Sequence, residues 1–294
     1  MRVPVRAGKR GEVTRGGGGR GRGGGRRRGK KRSSELLLKP YRHEGVFKAK
    51  KENGEKAYCT QNLVPGDSAY SERLFNAQNE DGVEVEYRVW NPYRSLLAAV
   101  LCVKVDDIWM APGSKVLYLG AASGITVSHV SDLVGPTGVV FAVESSRRSY
   151  ADLFVMSKKR TNLIPILGDA RNPAKYETKL DDKYKKMLDE KVDVIYCDVT
   201  QPDQVEILVS NASRFLKVGG HFLMLTKAVC IDPRATVCID PWTSIPLDVV
   251  FSSEAMKLQA KRLKPIEQVT LEPFVEGHAC LIGAYLGPKI QNQA

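Results

Sequence analysis

Four charged side chains stand at the ends of predicted β-strands. Glu144, Asp169, Asp198 and Lys227 each come at, or just after, the end of a short apolar run. Ligands of open α/β sheets bind outside the carboxyl ends of the strands, so we expect these side chains to share one edge of a sheet. A carboxylate there can accept the two hydroxyls of a ribose. One such charge could be a solvated surface group, but four together favour a ligand site.

The turn that follows the apolar run 116–119 consists of residues with small side chains, Gly120-Ala-Ala-Ser-Gly124. Its Gly-x-x-x-Gly spacing lacks the middle glycine of the dinucleotide fingerprint, which places a diphosphate on a helix N-terminus. The variant suits a nucleoside without phosphates, of which S-adenosylmethionine is the common example. The two glycines could instead serve only the close packing of strand against helix, and the motif alone leaves both interpretations open.

Strand and helix patterns alternate from residue 91 onward. This alternation predicts a Rossmann-like α/β domain over 91–294, with a doubly wound, mostly parallel sheet of seven strands. The predicted strands are 115–120, 139–143, 163–167, 192–197, 221–225, and two antiparallel ones at 266–271 and 279–285. The predicted helices are 96–105, 124–134, 149–161, 174–190, 203–217 (closed by Gly219-Gly220), and one from about 246 to 262.

The segment 35–90 precedes this domain and has no catalytic arrangement. Its short β-like runs at 45–47, 57–60 and 83–89 are separated by turn residues, which predicts a small β-rich domain that serves packing or docking.

The basic charge of the chain is concentrated at its start. Residues 1–32 contain 13 Lys and Arg, one acid and 11 glycines, whereas residues 33–294 contain 32 bases and 32 acids. A Gly/Arg-rich segment cannot bury a core, so we expect a disordered tail over 1–34. Such a tail binds the phosphates of RNA. Alternatively, it could serve only to keep the chain in solution. The run 26–32 could in addition act as a nuclear import signal.

Several other classes of protein are disfavoured. The six cysteines and four histidines are scattered without metal-ligand spacing, so we expect no metal site and reduced thiols in a cytosolic or nuclear protein. No apolar run approaches the ~20 residues of a membrane span, and no secretory signal is visible.

Several short motifs occur together along the chain. They include Arg42-His-Glu-Gly-Val-Phe47, Asn62-Leu-Val-Pro-Gly66, Tyr87-Arg-x-Trp-Asn-Pro92, Lys158-Lys-Arg-Thr-Asn162, Asp198-x-x-Gln-Pro-Asp-Gln204, Gly219-Gly-His-Phe222 and Leu271-Glu-Pro273. With 116–136 and the Gly/Arg-rich tail, they make the chain resemble the fibrillarin family, the methyltransferases of box C/D ribonucleoproteins. The resemblance covers essentially the whole chain.

The resemblance implies guide-RNA-directed transfer of a methyl group from S-adenosylmethionine to the ribose 2′-hydroxyl of rRNA. It also implies a set of partners, namely box C/D guide RNA, target rRNA, a Nop-domain scaffold protein and a kink-turn-binding protein. The location that it implies in a eukaryotic cell is the nucleolus of the nucleus.

The family's functional residues map onto this chain. The resemblance implies three catalytic residues, namely Asp198, Lys227 and His278. It implies the cofactor-binding residues Gly120, Ile125, Thr126, Glu144, Ser145, Asp169, Ala170, Asp198, Val199, Thr200 and Gln201.

Three positions depart from the family pattern. Leu96 replaces the family's first catalytic lysine, Ile125 replaces a threonine, and Ser145 replaces an aromatic residue expected against the adenosine. The stretches 177–190 and 229–246 are longer than the family pattern, and the second contains a tandem Val-Cys-Ile-Asp-Pro repeat.

Three hypotheses remain open, and the first two are distinguished by the uncharged leucine at position 96. The chain is an active RNA methyltransferase in which another base such as Arg94 substitutes, a structural subunit that binds S-adenosylmethionine but transfers methyl groups poorly, or a histone-glutamine methyltransferase.

Overall fold

The computed structural model describes residues 37–50, 56–79, 81–236 and 244–288. The Gly/Arg-rich tail (1–34) lies outside the described residues, as does the second copy of the repeat at 237–241. Within the described part, no helix is long and apolar enough to cross a membrane.

An antiparallel sheet of five strands begins the described chain. Its order is β1-β2-β3-β5-β4, and its members are β1 (Leu37–Pro40), β2 (Val46–Lys50), β3 (Lys56–Gln61), β4 (Leu74–Gln78) and β5 (Glu84–Trp90). Buried Ala49, Cys59 and Tyr87 form a small core on this sheet, while Val46 and Trp90 join the main core of the molecule. The β-rich character predicted for 35–90 is confirmed.

A second sheet has seven strands in the order β13-β14-β10-β9-β6-β7-β8. Its members are β6 (Lys115–Leu119), β7 (Val139–Glu144), β8 (Leu163–Leu167), β9 (Val192–Cys197), β10 (Leu216–Lys227), β13 (Leu263–Thr270) and β14 (His278–Tyr285). Only the pairings of β13 and β14 are antiparallel. The prediction of a mostly parallel α/β sheet with an antiparallel end is confirmed. The short strands β11 (Ala235–Thr236) and β12 (Ile245–Pro246) pair separately.

Helices cover both faces of the larger sheet. They are α1 (Leu96–Cys102), α2 (Ile125–Val134), α3 (Arg147–Ser157), α4 (Pro173–Glu177), α5 (Asp182–Asp189), α6 (Gln204–Phe215), α7 (Ala228–Ile231) and α8 (Leu247–Ala260). Alternate strand residues point to opposite faces. Tyr118 and Leu223 therefore pack with α1 and α2, whereas Leu117 and Phe222 pack with α6 and α8.

The helices predicted over 96–105 and 149–161 end earlier, at Cys102 and Ser157, and two further elements differ from the structure. The single helix expected over 174–190 is two short helices, α4 and α5, with residues 178–181 between them. The helix expected over 203–217 ends at Phe215, because Leu216 already pairs with Val192 of β9. The glycine pair therefore lies inside β10, where a Cβ on Gly220 would come within 2.9 Å of the Asp193 carbonyl oxygen.

A buried ionic cluster joins the five-stranded sheet to α2. Asp132 of α2 accepts a hydrogen bond from Arg88 Nη1 at 3.0 Å and another from Arg160. The side chains of all three residues are 0 % exposed. Thr60 also donates to the Asp132 carboxylate at 3.0 Å. Arg88 Nη2 also donates to the buried Glu72 carboxylate at 3.0 Å. Asp132 is thus shared by two buried guanidinium groups and holds the first sheet against the helix that follows the Gly120 turn.

Candidate functional site

A cleft of about 270 Å³ crosses the carboxyl ends of the parallel strands. It is bordered by the residues that follow β6, β7, β8 and β9, as expected for a doubly wound sheet. Nine residues with predicted cofactor contacts line it, namely Gly120, Glu144, Ser145, Asp169, Ala170, Asp198, Val199, Thr200 and Gln201. The strands thus bring together three of the four charged residues from which the site was inferred.

Backbone conformation and packing together account for the two glycines of the small-residue turn. Gly120 has a φ of +82°, and an added Cβ would lie 2.3 Å from the carbonyl oxygen of Asp198. A Cβ on Gly124 would lie 2.8 Å from Leu153 Cδ2 of α3. The packing interpretation of the motif is therefore correct for Gly120, whereas the φ of +100° at Gly124 favours glycine there, and the argument for a ligand rests on the cleft beside the turn.

The carboxylate of Glu144 is held in a fixed orientation at the end of β7. Its Oε2 accepts the backbone N–H of Ala122 at 2.8 Å, and its Oε1 accepts that of Ser146 at 2.7 Å. A carboxylate oxygen can accept more than one hydrogen bond, so both oxygens retain acceptor capacity toward the cleft. Two vicinal hydroxyls of a ribose match that remaining capacity.

Arg171 lines the cleft, although it was not singled out from the sequence. Its Nε donates to Asp203 Oδ2 at 2.8 Å, and its Nη2 donates to Gln201 Oε1 at 2.6 Å. The hydrogen bond that Arg171 donates to Asp203 raises the pKa of Arg171, and the same bond lowers the pKa of Asp203. The guanidinium thus connects the loop after β8 to the loop after β9. The only local signal was its position two residues after Asp169.

Asp198 follows β9 and lies beneath the Gly120 turn. Its backbone N–H donates to the Leu119 carbonyl oxygen at 2.9 Å, which holds the residue beside β6. Among the described residues, none forms an ion pair with its carboxylate. Burial raises the pKa of Asp198 to about 7. A cationic ligand beside this carboxylate would favour its charged form.

Lys227 and His278 form a pair at the antiparallel end of the sheet. Lys227 ends β10, His278 begins β14, and the two residues are direct Cα partners in the strand register. The Ala228 N–H donates to the Gly277 carbonyl oxygen at 3.0 Å and extends this pairing. His278 Nδ1 lies 2.7 Å from the Glu276 carbonyl oxygen. Because a carbonyl only accepts, Nδ1 donates to it, which leaves Nε2 as the ring nitrogen with room to accept a hydrogen bond.

Four residues named from the sequence lie outside the lining of the cleft, namely Ile125, Thr126, Lys227 and His278. Thr126 is buried and donates to Ser95 Oγ at 3.0 Å. Ile125 lines a separate cavity of about 170 Å³, together with Arg94 and Ser95.

The segment before α1 connects this second cavity to position 96. Ser95 caps α1, where its Oγ accepts the N–H of Ala98 at 3.4 Å. Leu96 is the first residue of that helix and packs half-buried against the main core. Arg94 Nη1 donates to the Tyr70 carbonyl oxygen at 2.9 Å. The proposed substitute cation therefore already holds a neighbouring loop.

Comparison with known proteins places the chain in a family. The Fibrillarin family model matches residues 38–287. The rRNA 2′-O-methyltransferase fibrillarin 1 of Arabidopsis thaliana is 55 % identical over 262 residues, which cover 89 % of this chain and 78 % of the relative.

Two solved structures agree with this match. Aeropyrum pernix fibrillarin with natively bound S-adenosyl-L-methionine has a TM-score of 0.70 and 37 % identity, over 85 % of this chain and 98 % of that one. The fibrillarin of a fibrillarin/Nop5p complex has a TM-score of 0.61 and 32 % identity, over 78 % of this chain and 94 % of that one. With its fold, its cleft and these similarities, this chain belongs to the fibrillarin family.

Proposed function

We propose that this chain transfers a methyl group from S-adenosylmethionine to a ribose 2′-hydroxyl of rRNA, at positions chosen by a guide RNA. The observation that carries the proposal is a nucleoside-sized cleft at the same sheet edge as the pair Lys227 and His278. The Arabidopsis relative is named for this reaction, which supports the same activity here.

The residues that line the cleft fit the cofactor. Glu144 retains the acceptor capacity that ribose hydroxyls need, and Asp169 and Ala170 would contact the adenine. Asp198 has no cation paired with it among the described residues, and a sulfonium centre supplies that missing charge. When bound, S-adenosylmethionine supplies an electrophilic methyl group. The cleft needs no phosphate-binding loop, in agreement with the Gly-x-x-x-Gly turn.

The chain's own side chains activate the nucleophile. A ribose 2′-hydroxyl is a poor nucleophile at neutral pH because it holds its proton tightly. His278 Nε2 can accept that proton, since the Glu276 carbonyl oxygen keeps the other proton on Nδ1. The Lys227 ammonium stabilises the negative charge that develops on the oxygen. Asp198 favours the cationic end of the cofactor by electrostatic attraction.

A second candidate function is a structural subunit that binds S-adenosylmethionine but catalyses poorly. The observation that favours it is Leu96, whose half-buried side chain brings no charge to the start of α1. Arg94 is bonded to the Tyr70 carbonyl oxygen and would have to leave it to serve the reacting hydroxyl. The two functions differ only in whether methyl transfer occurs in a complete particle.

The partners follow from the same proposal. A relative has been solved with Nop5p, and a Nop-domain scaffold protein would place this chain on the guide–target duplex. We also propose a kink-turn-binding protein in the particle, and the nucleolus as its location. The balanced charge of residues 33–294 supports dependence on a scaffold, because this part of the sequence carries no net charge to attract RNA.

Guided methylation by a reconstituted particle tests the proposal. The particle should methylate the ribose opposite the guide's selecting nucleotide, and a guide shifted by one nucleotide should shift the modified position by one. Resistance of the adjacent phosphodiester to alkali reports the product, because only an unmodified 2′-hydroxyl can attack it. Tight S-adenosylmethionine binding without any methylation would support the structural-subunit function instead.

A further inference from the structure

An exposed aromatic pair lies beside the loop that carries His278. Tyr93 is 69 % exposed, although it is a large aromatic residue. Its ring meets that of Phe274 edge to face, with the ring centroids 5.5 Å apart at an interplanar angle of 63°. Phe274 itself is half-buried against the main core. Phe274 therefore anchors the pair, and Tyr93 presents a supported but largely open ring to the outside.

The backbone fixes both rings near the reacting groups. Phe274 belongs to the loop between β13 and β14, where its N–H donates to the Leu271 carbonyl oxygen at 2.9 Å. The Leu271 N–H in turn donates to the carbonyl oxygen of His278 at 3.0 Å. Tyr93 itself lies two residues before the cap of α1. Its N–H donates to Asn91 Oδ1 at 2.9 Å. The pair thus joins the segment that leads to position 96 to the loop that presents His278.

We propose that Tyr93, supported by Phe274, is the surface on which a nucleobase of the target RNA strand stacks beside the ribose to be methylated. This inference rests on the proposed function, which supplies an RNA substrate. Every nucleobase has a π-face, so stacking on an aromatic ring holds a strand without reading its sequence, as a guide-directed enzyme requires. The exposed guanidinium of Arg94 follows directly in the chain and complements the negative charge of the strand. Tyr93 is then a positioning residue that holds the 2′-hydroxyl toward Lys227 and His278.

Kinetics of the assembled particle test this role. With the full chain, Tyr93→Ala should raise the KM for target RNA about 5- to 150-fold, the range that corresponds to the loss of one base–aromatic stack. The affinity for S-adenosylmethionine should not change. Tyr93→Phe and Tyr93→Trp should keep the KM near that of the wild type, because each retains a ring. The matched control is Phe154→Ala, which removes a 47 % exposed ring that pairs with Tyr150 on α3.

A target RNA that carries 2-aminopurine at or next to the methylated position reports stacking on Tyr93 without requiring methyl transfer. Its fluorescence should be quenched in the wild-type particle and recover with Tyr93→Ala. A particle that quenches normally but transfers no methyl group would contradict the proposed function and leave the stacking role intact.

Three results with the assembled particle would overturn the stacking role. The first is a KM for target RNA and a 2-aminopurine quenching that do not change in Tyr93→Ala. The second is a Tyr93→Phe variant that is as impaired as Tyr93→Ala. The third is an equal rise of the KM in the control Phe154→Ala. A Tyr93→Ala chain could also fail to assemble with the scaffold protein but still quench 2-aminopurine in added RNA. That result would assign the Tyr93 ring to a protein contact and would also overturn the stacking role.

Discussion

Lys227 and His278 face each other where β10 ends and β14 begins. Residues opposite each other in an antiparallel pair project from the same face of the sheet. That face carries α1 and, through Leu223 and Cys280, the main core. A cation and a base are therefore held by a rigid strand pair, and α1 with Leu96 lies on the same side. Substitutions of Lys227, His278 and Leu96 can therefore test, one residue at a time, how the chain catalyses methyl transfer without the family's first lysine.

The pH dependence of cofactor binding should report Asp198. Its pKa of about 7 in the ligand-free cleft means that the carboxyl is largely protonated at pH 6, whereas a bound sulfonium favours the carboxylate. Binding then releases a proton, so affinity should fall as the pH drops below 7, toward a limit of about tenfold per pH unit. Above pH 7 the affinity should level off. Calorimetry at several pH values measures the effect.

S-adenosylhomocysteine is the control ligand, because its neutral thioether gives the carboxylate nothing to attract. Its affinity should lack this pH dependence, and Asp198→Asn should remove the dependence for S-adenosylmethionine. Equal slopes for the two ligands would show that the sulfonium does not lie beside Asp198.

Substitution of Gly120 tests the close approach beneath the cofactor cleft. Gly120→Ala should lower the free energy of unfolding by the cost of a left-handed alanine, about 1–2 kcal/mol. A further overpacking cost of about 1–3 kcal/mol should arise, because the new Cβ would meet the Asp198 carbonyl oxygen. Gly66→Ala is the control, since Gly66 has a φ of +80° with nothing within 4 Å of its added Cβ. Denaturant unfolding should separate the two variants, and equal losses would contradict the packing account.

The buried cluster around Asp132 should be essential to stability. Asp132→Ala leaves Arg160 buried without its counter-ion and Arg88 with Glu72 alone, which should cost about 3–5 kcal/mol of the free energy of unfolding. The exposed pair of Asp67 with Lys159, 2.7 Å apart, provides the comparison. Asp67→Ala should cost no more than about 1 kcal/mol. A similar small loss for both variants would mean that the guanidinium groups find other partners.

Leu96→Lys should restore the cation that the family pattern places at the start of α1. If that charge limits the reaction, the rate of guided methylation should rise by ~10²–10³. Leu96→Met is the control, because it keeps an apolar side chain of similar length. No gain from lysine in an already fast enzyme would show that another base serves the same purpose.

The sheet and its ligand edge could be predicted from sequence because parallel strands are buried on both faces. Their mainly apolar runs located β8 and β9 at their observed bounds, and the rule for open α/β sheets then placed Glu144, Asp169 and Asp198 together. The short strands β1 and β4 of the first sheet were missed, since neither has such a run. The division of 174–190 into α4 and α5 was missed for a related reason, because charged residues obscure the apolar positions that pack.

Other contacts required the tertiary structure. Asp132 is 44 residues from Arg88 and 28 from Arg160, so no local pattern relates them. The pairing of Lys227 with His278 depends on the register of two strands, and only the family resemblance had associated the two residues. Arg171 was missed because its partners Gln201 and Asp203 follow a different strand.

Methyl transfer by a Lys227→Ala particle tests the central claim most directly. In a complete particle with guide and target, the wild type should methylate the guided ribose. Lys227→Ala should lose nearly all of that activity while its affinity for S-adenosylmethionine stays within about twofold, since the lysine acts on the hydroxyl. Lys264→Ala, which removes an exposed lysine from β13, should remain active. Full activity in Lys227→Ala, or loss of cofactor binding that explains its inactivity, would contradict the assignment of this sheet edge as the catalytic site.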